Sequence, residues 1–152
     1  MDNRQKPIGF FDSGVGGLSV LRNALSVLPN ENYIYYGDDK NAPYGTRSEK
    51  EIRELSLRCG EFLYDKGVKL IVVACNTATS VAIREMRSQF NIPVLSMEPA
   101  VKPALGALRD GGKVLVMATP ATITQQRYNL LLDRLSCRDK VINMKCGGLV
   151  EI

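Results

Sequence analysis

What most constrains this chain is an alternation of two periodicities. Apolar, partly β-branched runs occur at Ile8–Phe11, Tyr33–Tyr36, Leu70–Ala74, Val94–Ser96, Val114–Ala118 and Val141–Met144. Between them, apolar residues return every three or four positions, the spacing of one helix face. Short unbroken apolar runs suit strands covered on both sides, and the intervening stretches suit the helices that cover them. The pattern predicts an α/β fold: a mostly parallel sheet flanked by helices.

The helix signals are specific enough to assign faces. After Gly16-Gly17, Leu18, Leu21, Leu25 and Leu28 are predicted to form the buried side of a helix that stops at Pro29. Ser48-x-x-Glu51 reads as a capping box that opens a second helix. Its buried face is predicted as Ile52, Leu55, Cys59 and Phe62, and Gly67 ends it. Further helices are predicted from near Thr77 (Ile83, Met86 and Phe90 inward), near Pro99, and near Thr119-Pro120 (Ile123, Tyr128, Leu131 and Leu135 inward). Ile8-Gly-Phe-Phe-Asp-Ser-Gly is echoed by Val114-Leu-Val-Met-Ala-Thr-Pro, in that each apolar strand runs into a small polar turn and then a helix. Glu98-Pro99-Ala-Val-Lys-Pro103 between them reads as a junction, giving a first α/β lobe over 1–98 and the first part of a second, similar lobe over 99–152.

Composition removes several function classes. Lys and Arg number 20 against 16 Asp and Glu, but they are scattered, so nucleic acid is not an expected partner. The four cysteines, Cys59, Cys75, Cys137 and Cys146, form no Cys-x-x-Cys pair, and with no histidine in the chain no metal site is expected. No apolar run approaches the roughly 18 residues of a membrane span, so no membrane partner is expected. Free thiols behind a start without a signal sequence point to the cytoplasm.

In open α/β sheets, ligands bind beyond the carboxyl ends of the strands. Here those ends carry Asp12-Ser13, Asp38-Asp39, Cys75-Asn76-Thr77, and Thr119 with Thr122. An apolar-flanked cysteine is commonly inert core. Asn76 and Thr77 shift the balance, because amide, hydroxyl and free backbone N–H groups at a helix start make a seat for a carboxylate. Lying just before that helix, the Cys75 thiol is expected to have a lowered pKa. Asp12 is either an ordinary turn aspartate or a partner in the same cleft, as hydrogen-bond acceptor for the thiol or counter-charge for a substrate ammonium. Ala42-Pro43-Tyr44-Gly45-Thr46 is a turn whose N–H groups are placed for a second carboxylate.

Gly14-Val-Gly16-Gly17-Leu-Ser19 invites a rival reading, a nicotinamide-binding Rossmann domain with Asp38 on the ribose. Ser19 stands where the third fingerprint glycine belongs, so the match is partial.

Taken together, Gly9-Phe-Phe-Asp-Ser-Gly-Val-Gly-Gly-Leu-Ser19, Tyr36-Gly-Asp38, Ala42-Pro-Tyr-Gly45, Ala74-Cys-Asn-Thr-Ala-Thr79 and Ala118-Thr-Pro-Ala-Thr122 resemble the glutamate racemase family. The resemblance implies a cofactor-independent isomerase that interconverts L- and D-glutamate for peptidoglycan, with one thiol on each side of the substrate α-carbon. Cys75 matches the first of these thiols, and Asp12 is carried over as its catalytic partner. Asp12 and Ser13, Tyr44 and Gly45, and Asn76 and Thr77 match substrate-contacting pairs. Thr119 and Thr122 match a further carboxylate-binding turn, and Asp38 an assisting acid. Family members are longer, and their second cysteine sits in a Cys-Thr-His turn that none of Cys59, Cys137 or Cys146 matches. The chain is therefore expected to be an N-terminal portion, inactive alone. A carboxylate-binding or interaction fragment, and less closely an aspartate racemase, are the alternatives. A homodimer is compatible with the sequence but not specified by it.

Overall fold

The computed structural model describes residues 3–148. It contains the six strands the alternation predicts: β1 (Ile8–Asp12), β2 (Tyr33–Gly37), β3 (Leu70–Val73), β4 (Val94–Ser96), β5 (Val114–Ala118) and β6 (Val141–Lys145). The helices are α1 (Leu18–Val27), α2 (Glu49–Asp65), α3 (Asn76–Gln89), α4 (Val101–Gly106), α5 (Pro120–Thr124) and α6 (Gln126–Arg134). The chain divides into two compact units, Met1–Met97 and Glu98–Ile152.

The first unit is a four-stranded parallel sheet in the order β2-β1-β3-β4. Alternate side chains of its central strands go to opposite faces, as the strand period requires. Phe11, Ile71 and Val73 pack with α2 and α3 residues such as Ile52, Leu63, Ile83 and Met86. Ile8, Phe10 and Val72 pack with Val20, Leu21 and Ala24 of α1. The α2 start is the predicted capping box: Ser48 Oγ accepts the Glu51 amide, and the Glu51 carboxylate accepts the Ser48 amide. Gly67 follows the helix at φ 72°, a left-handed turn that a side chain would strain.

Three expectations need correction. Leu18 and Leu25 of α1 and Leu28 just after it are 46%, 46% and 47% exposed, while Val20, Leu21 and Ala24 face the sheet. Apolar residues occupy about half of this helix's circumference, so spacing alone leaves the inward flank open. The hydrogen bond from Gly17 N to Asp12 Oδ2, at 2.8 Å, pins the helix start and settles its rotation. In α2, Leu63 takes the buried position and Phe62 is 41% exposed, its ring lying 4.7 Å from that of Tyr36. The helix predicted from Thr119-Pro120 is interrupted, because Gln125 is extended at φ −68°, ψ 140°. Thr124 Oγ1 donates to the Pro120 carbonyl at 2.9 Å, the kind of side-chain-to-backbone bond that competes with helix continuation.

The second unit pairs β5 with β6 in parallel. Ile123, Tyr128, Leu131 and Leu132 cover one face, against Val116 and Ala118, and the predicted Leu135 is partly buried at the edge of that cluster. On the opposite face Leu115, Met117, Ile142 and Met144 are each about half exposed.

These packing assignments give a direct test. Ile71→Ala, at a fully buried central-strand position, is expected to lower unfolding stability in urea by about 2–5 kcal/mol. Leu95→Ala on neighbouring β4, where the residue is 53% exposed, should change it by no more than about 0.5 kcal/mol.

Candidate functional site

In the first unit the chain leaves β1 for β2 on one side and returns for β3 and β4 on the other. The boundary between β1 and β3 is therefore a topological switch point, where the connections diverge and a crevice opens at the carboxyl ends. Asp12 ends β1 and Cys75 follows β3, so the two residues singled out by sequence flank that crevice from adjacent strands.

Cys75 is the N-cap of α3. Its Sγ accepts the Ala78 amide at 3.4 Å, and the thiol donates to Ser13 Oγ at 3.4 Å. The thiol belongs to a residue only 6% exposed. Contrary to the sequence expectation, its pKa is pushed up: burial disfavours the thiolate, and the Asp12 carboxylate adds to it. The Ser13 and Ala78 hydrogen bonds act the other way and do not compensate. The helix start still favours the thiolate, but the loss of hydration around a nearly dry sulfur outweighs it.

Asp12 is 7% exposed, and its carboxylate takes the N–H of Gly17. A Cβ at Gly17 would lie 2.8 Å from the Cβ of Asp12 and 2.9 Å from that of Ala74, so only glycine lets α1 begin here. The start of α1 is thus occupied by the chain's own carboxylate. A dinucleotide pyrophosphate would need that place, which removes the physical basis of the rival reading.

Asp38 is 6% exposed and follows β2, its N–H donating to the Asp12 carbonyl at 3.0 Å. Its carboxylate accepts from the Tyr44 hydroxyl at 2.7 Å and from Asn41 Nδ2 at 2.9 Å. Asp38 thereby ties down the turn that carries Tyr44 and Gly45. The Tyr44 side chain is buried, its ring 6.2 Å from that of Phe11, while Gly45 is half-buried. Cys59 Sγ lies 3.8 Å from the Tyr44 hydroxyl, and burial pushes this thiol up to about 12, in keeping with a core position. At the start of α3, Asn76 is exposed and Thr77 buried.

Three of the four predicted turns thus meet at one sheet edge. The fourth lies in the second unit, where Thr119 caps α5. Its Oγ1 accepts the Thr122 amide at 3.3 Å and lies 3.2 Å from Thr122 Oγ1. Cys137 is buried there, and Cys146 is partly exposed after β6. Sequence reasoning missed Tyr35 of β2, whose hydroxyl donates to the Gly14 carbonyl at 2.6 Å. Its only signal was a polar group near a strand end that already carried Asp38.

Among the described residues no helix is long and apolar enough to cross a membrane, and no group of His, Cys, Asp or Glu is placed to hold a metal.

The Asp/Glu/Hydantoin racemase family matches residues 16–148. The chain belongs to this family. It is 55% identical over 151 residues to the glutamate racemase of Clostridium perfringens strain SM101, covering 99% of this chain and 58% of that protein. Among solved structures, glutamate racemase from Aquifex pyrophilus superposes with a TM-score of 0.83 at 40% identity, covering 96% of this chain and 57% of that one. Glutamate racemase from Francisella tularensis, solved in complex with D-glutamate, superposes with a TM-score of 0.80 at 36% identity, covering 97% and 56%. The chain therefore spans a little under three-fifths of the length of these relatives.

The electrostatics of Cys75 can be read by site-resolved alkylation with iodoacetamide across pH. Only the thiolate reacts, so a raised pKa should make Cys75 slower at neutral pH than a free cysteine, whose pKa is about 8.5. Asp12→Asn keeps an acceptor for Gly17 and removes the charge, so the midpoint is expected to move down. An unmoved midpoint would leave burial as the whole cause.

Proposed function

We propose that this chain acts in the cofactor-independent racemisation of glutamate, with Cys75 as the acid/base on one face of the α-carbon. The observation that carries the reading is the pairing of a buried thiol and a buried carboxylate, Cys75 and Asp12, at the switch point of the first sheet.

Asp12 supplies the counter-charge for the substrate ammonium. The N–H groups at the start of α3, with Asn76 and Thr77, receive one carboxylate, and the turn at Tyr44 and Gly45 receives another. Thr119 and Thr122 offer a further pair of hydroxyls to a carboxylate. Asp38 assists by holding Tyr44. An ammonium beside Asp12 cancels the negative charge that opposes ionisation of the thiol, so substrate binding itself favours the thiolate. That thiolate takes the α-proton: the Cα–H bond breaks, an S–H bond forms, and the electron pair passes into the adjacent carboxylate, where hydrogen-bond donors stabilise it. Proton return from the opposite face completes inversion; proton return from Cys75 restores the starting enantiomer. D-glutamate made in this way serves cytoplasmic peptidoglycan synthesis. The reading invokes no cofactor.

A carboxylate-binding role without turnover is the second reading. It is favoured by the burial that holds the Cys75 thiol in its neutral form beside the carboxylate seat at the start of α3.

Incubation of the chain with each glutamate enantiomer in deuterated water separates the two. The first reading expects deuterium at the α-carbon of one enantiomer, lost by about 10²–10⁴-fold in Cys75→Ser. Exchange that survives Cys75→Ser would remove Cys75 from the chemistry. Saturable glutamate binding without exchange would support the second reading.

A further inference from the structure

We propose that Tyr35 is a positioning residue for this site: its hydroxyl clamps the Asp12–Gly17 turn and so fixes the Asp12 carboxylate relative to the Cys75 thiol. The proposal rests on the reading of Asp12 and Cys75 as the working pair.

The turn between β1 and α1 has few anchors. Within it, the Gly17 amide donates to Asp12 Oδ2 at 2.8 Å, which closes the turn on itself but ties it to nothing else. Outside the turn, the Cys75 thiol donates to Ser13 Oγ at 3.4 Å, and a shorter anchor comes from β2. Tyr35 sits opposite Phe10 in the β1–β2 register, and Gly37, two residues on, sits opposite Asp12. From there the Tyr35 hydroxyl donates to the Gly14 carbonyl at 2.6 Å. One hydroxyl of β2 therefore holds the turn at Gly14, three residues from the Gly17 amide that the Asp12 carboxylate takes.

Steric fit reinforces the clamp. A Cβ on Gly37 would meet the Gly14 carbonyl oxygen at 2.8 Å and the Tyr35 ring at 3.3 Å, so that carbonyl is lodged against both residues. A Cβ on Gly17 would stand 3.1 Å from the Tyr35 hydroxyl. Tyr33, on the same strand face, does something different: its hydroxyl lies 2.8 Å from the Leu28 carbonyl and 3.2 Å from that of Ala24, securing the far end of α1. The two tyrosines divide the work, with Tyr33 on the helix end and Tyr35 on the turn that bears Asp12.

The clamp stays a donor across the working range. Burial first, and then the negative charges of Asp12, Asp39 and Cys75, push the Tyr35 phenol up to about 12. The same charges that define the site thus keep the proton that Gly14 needs.

Tyr35→Phe keeps the ring against the Ile8, Phe10 and Val72 cluster and removes the hydroxyl bond to Gly14. The readout is the pH midpoint for alkylation of Cys75, which requires no turnover and so stands apart from the glutamate exchange that tests the functional reading. With Asp12 no longer held in place, its effect on the thiol weakens. The midpoint is expected to fall, raising the neutral-pH alkylation rate by up to about tenfold, the equivalent of one pKa unit. In an Asp12→Asn background the same Tyr35 substitution should have no effect, because it acts through that charge. Tyr33→Phe should leave the midpoint of the parent. A parental profile in Tyr35→Phe, or an equal shift with and without the Asp12 charge, would overturn the proposal. Should Tyr35→Phe fold poorly, p-aminophenylalanine at position 35 retains a donor and an acceptor, and a profile there unlike the parent's would overturn it as well.

Discussion

The parallel pairing of β1 with β3 brings Ile8 opposite Leu70 and Phe11 opposite Val73, and the Ala74 amide closes on the Phe11 carbonyl at 2.8 Å. Everything at the candidate site follows from this contact between segments some sixty positions apart in sequence. It puts the end of one apolar strand, with a carboxylate, beside the end of another, with a thiol. Because the two strands belong to connections running in opposite directions, no crossover covers the gap between their ends. The carboxylate and thiol are then both dry enough for the charge of the former to oppose ionisation of the latter.

The strand pattern was legible because apolar runs bounded by small polar turns are a strong local signal, and their type and order carried through the whole chain. Side-chain faces were less so. In α1, leucines and valines cover too much of the circumference for spacing to choose a flank, and the choice is made by a bond from Gly17 to a carboxylate five residues earlier. Phe62 and Leu63 competed for one inward place, and the smaller, branched side chain took it. The site residues were legible as polar positions at strand ends. The sign of the Cys75 shift was not, since it depends on how completely the sulfur is removed from water and on a carboxylate contributed by another strand.

The two units repeat one device. In each, an apolar strand ends in a short polar turn whose side chain caps the following helix: Cys75 takes the Ala78 amide, and Thr119 takes the Thr122 amide. The same local chemistry yields different results. Sulfur at a buried cap becomes a group whose ionisation answers to nearby charge, whereas paired threonine hydroxyls remain neutral donors and acceptors. On the proposed reading, substrate-facing chemistry is built at helix starts, with the reactive group drawn from the cap itself.

Both β1 and β3 are interior strands, hydrogen-bonded to neighbours on each side. Backbone amides in such strands exchange with solvent mainly when the surrounding unit opens as a whole, while edge strands and turns fray in smaller events. The thiol and carboxylate are therefore attached to the slowest-opening part of the first unit. Motions that admit or release a ligand would be carried by the turns around them, leaving the thiol and carboxylate in place until the sheet itself lets go.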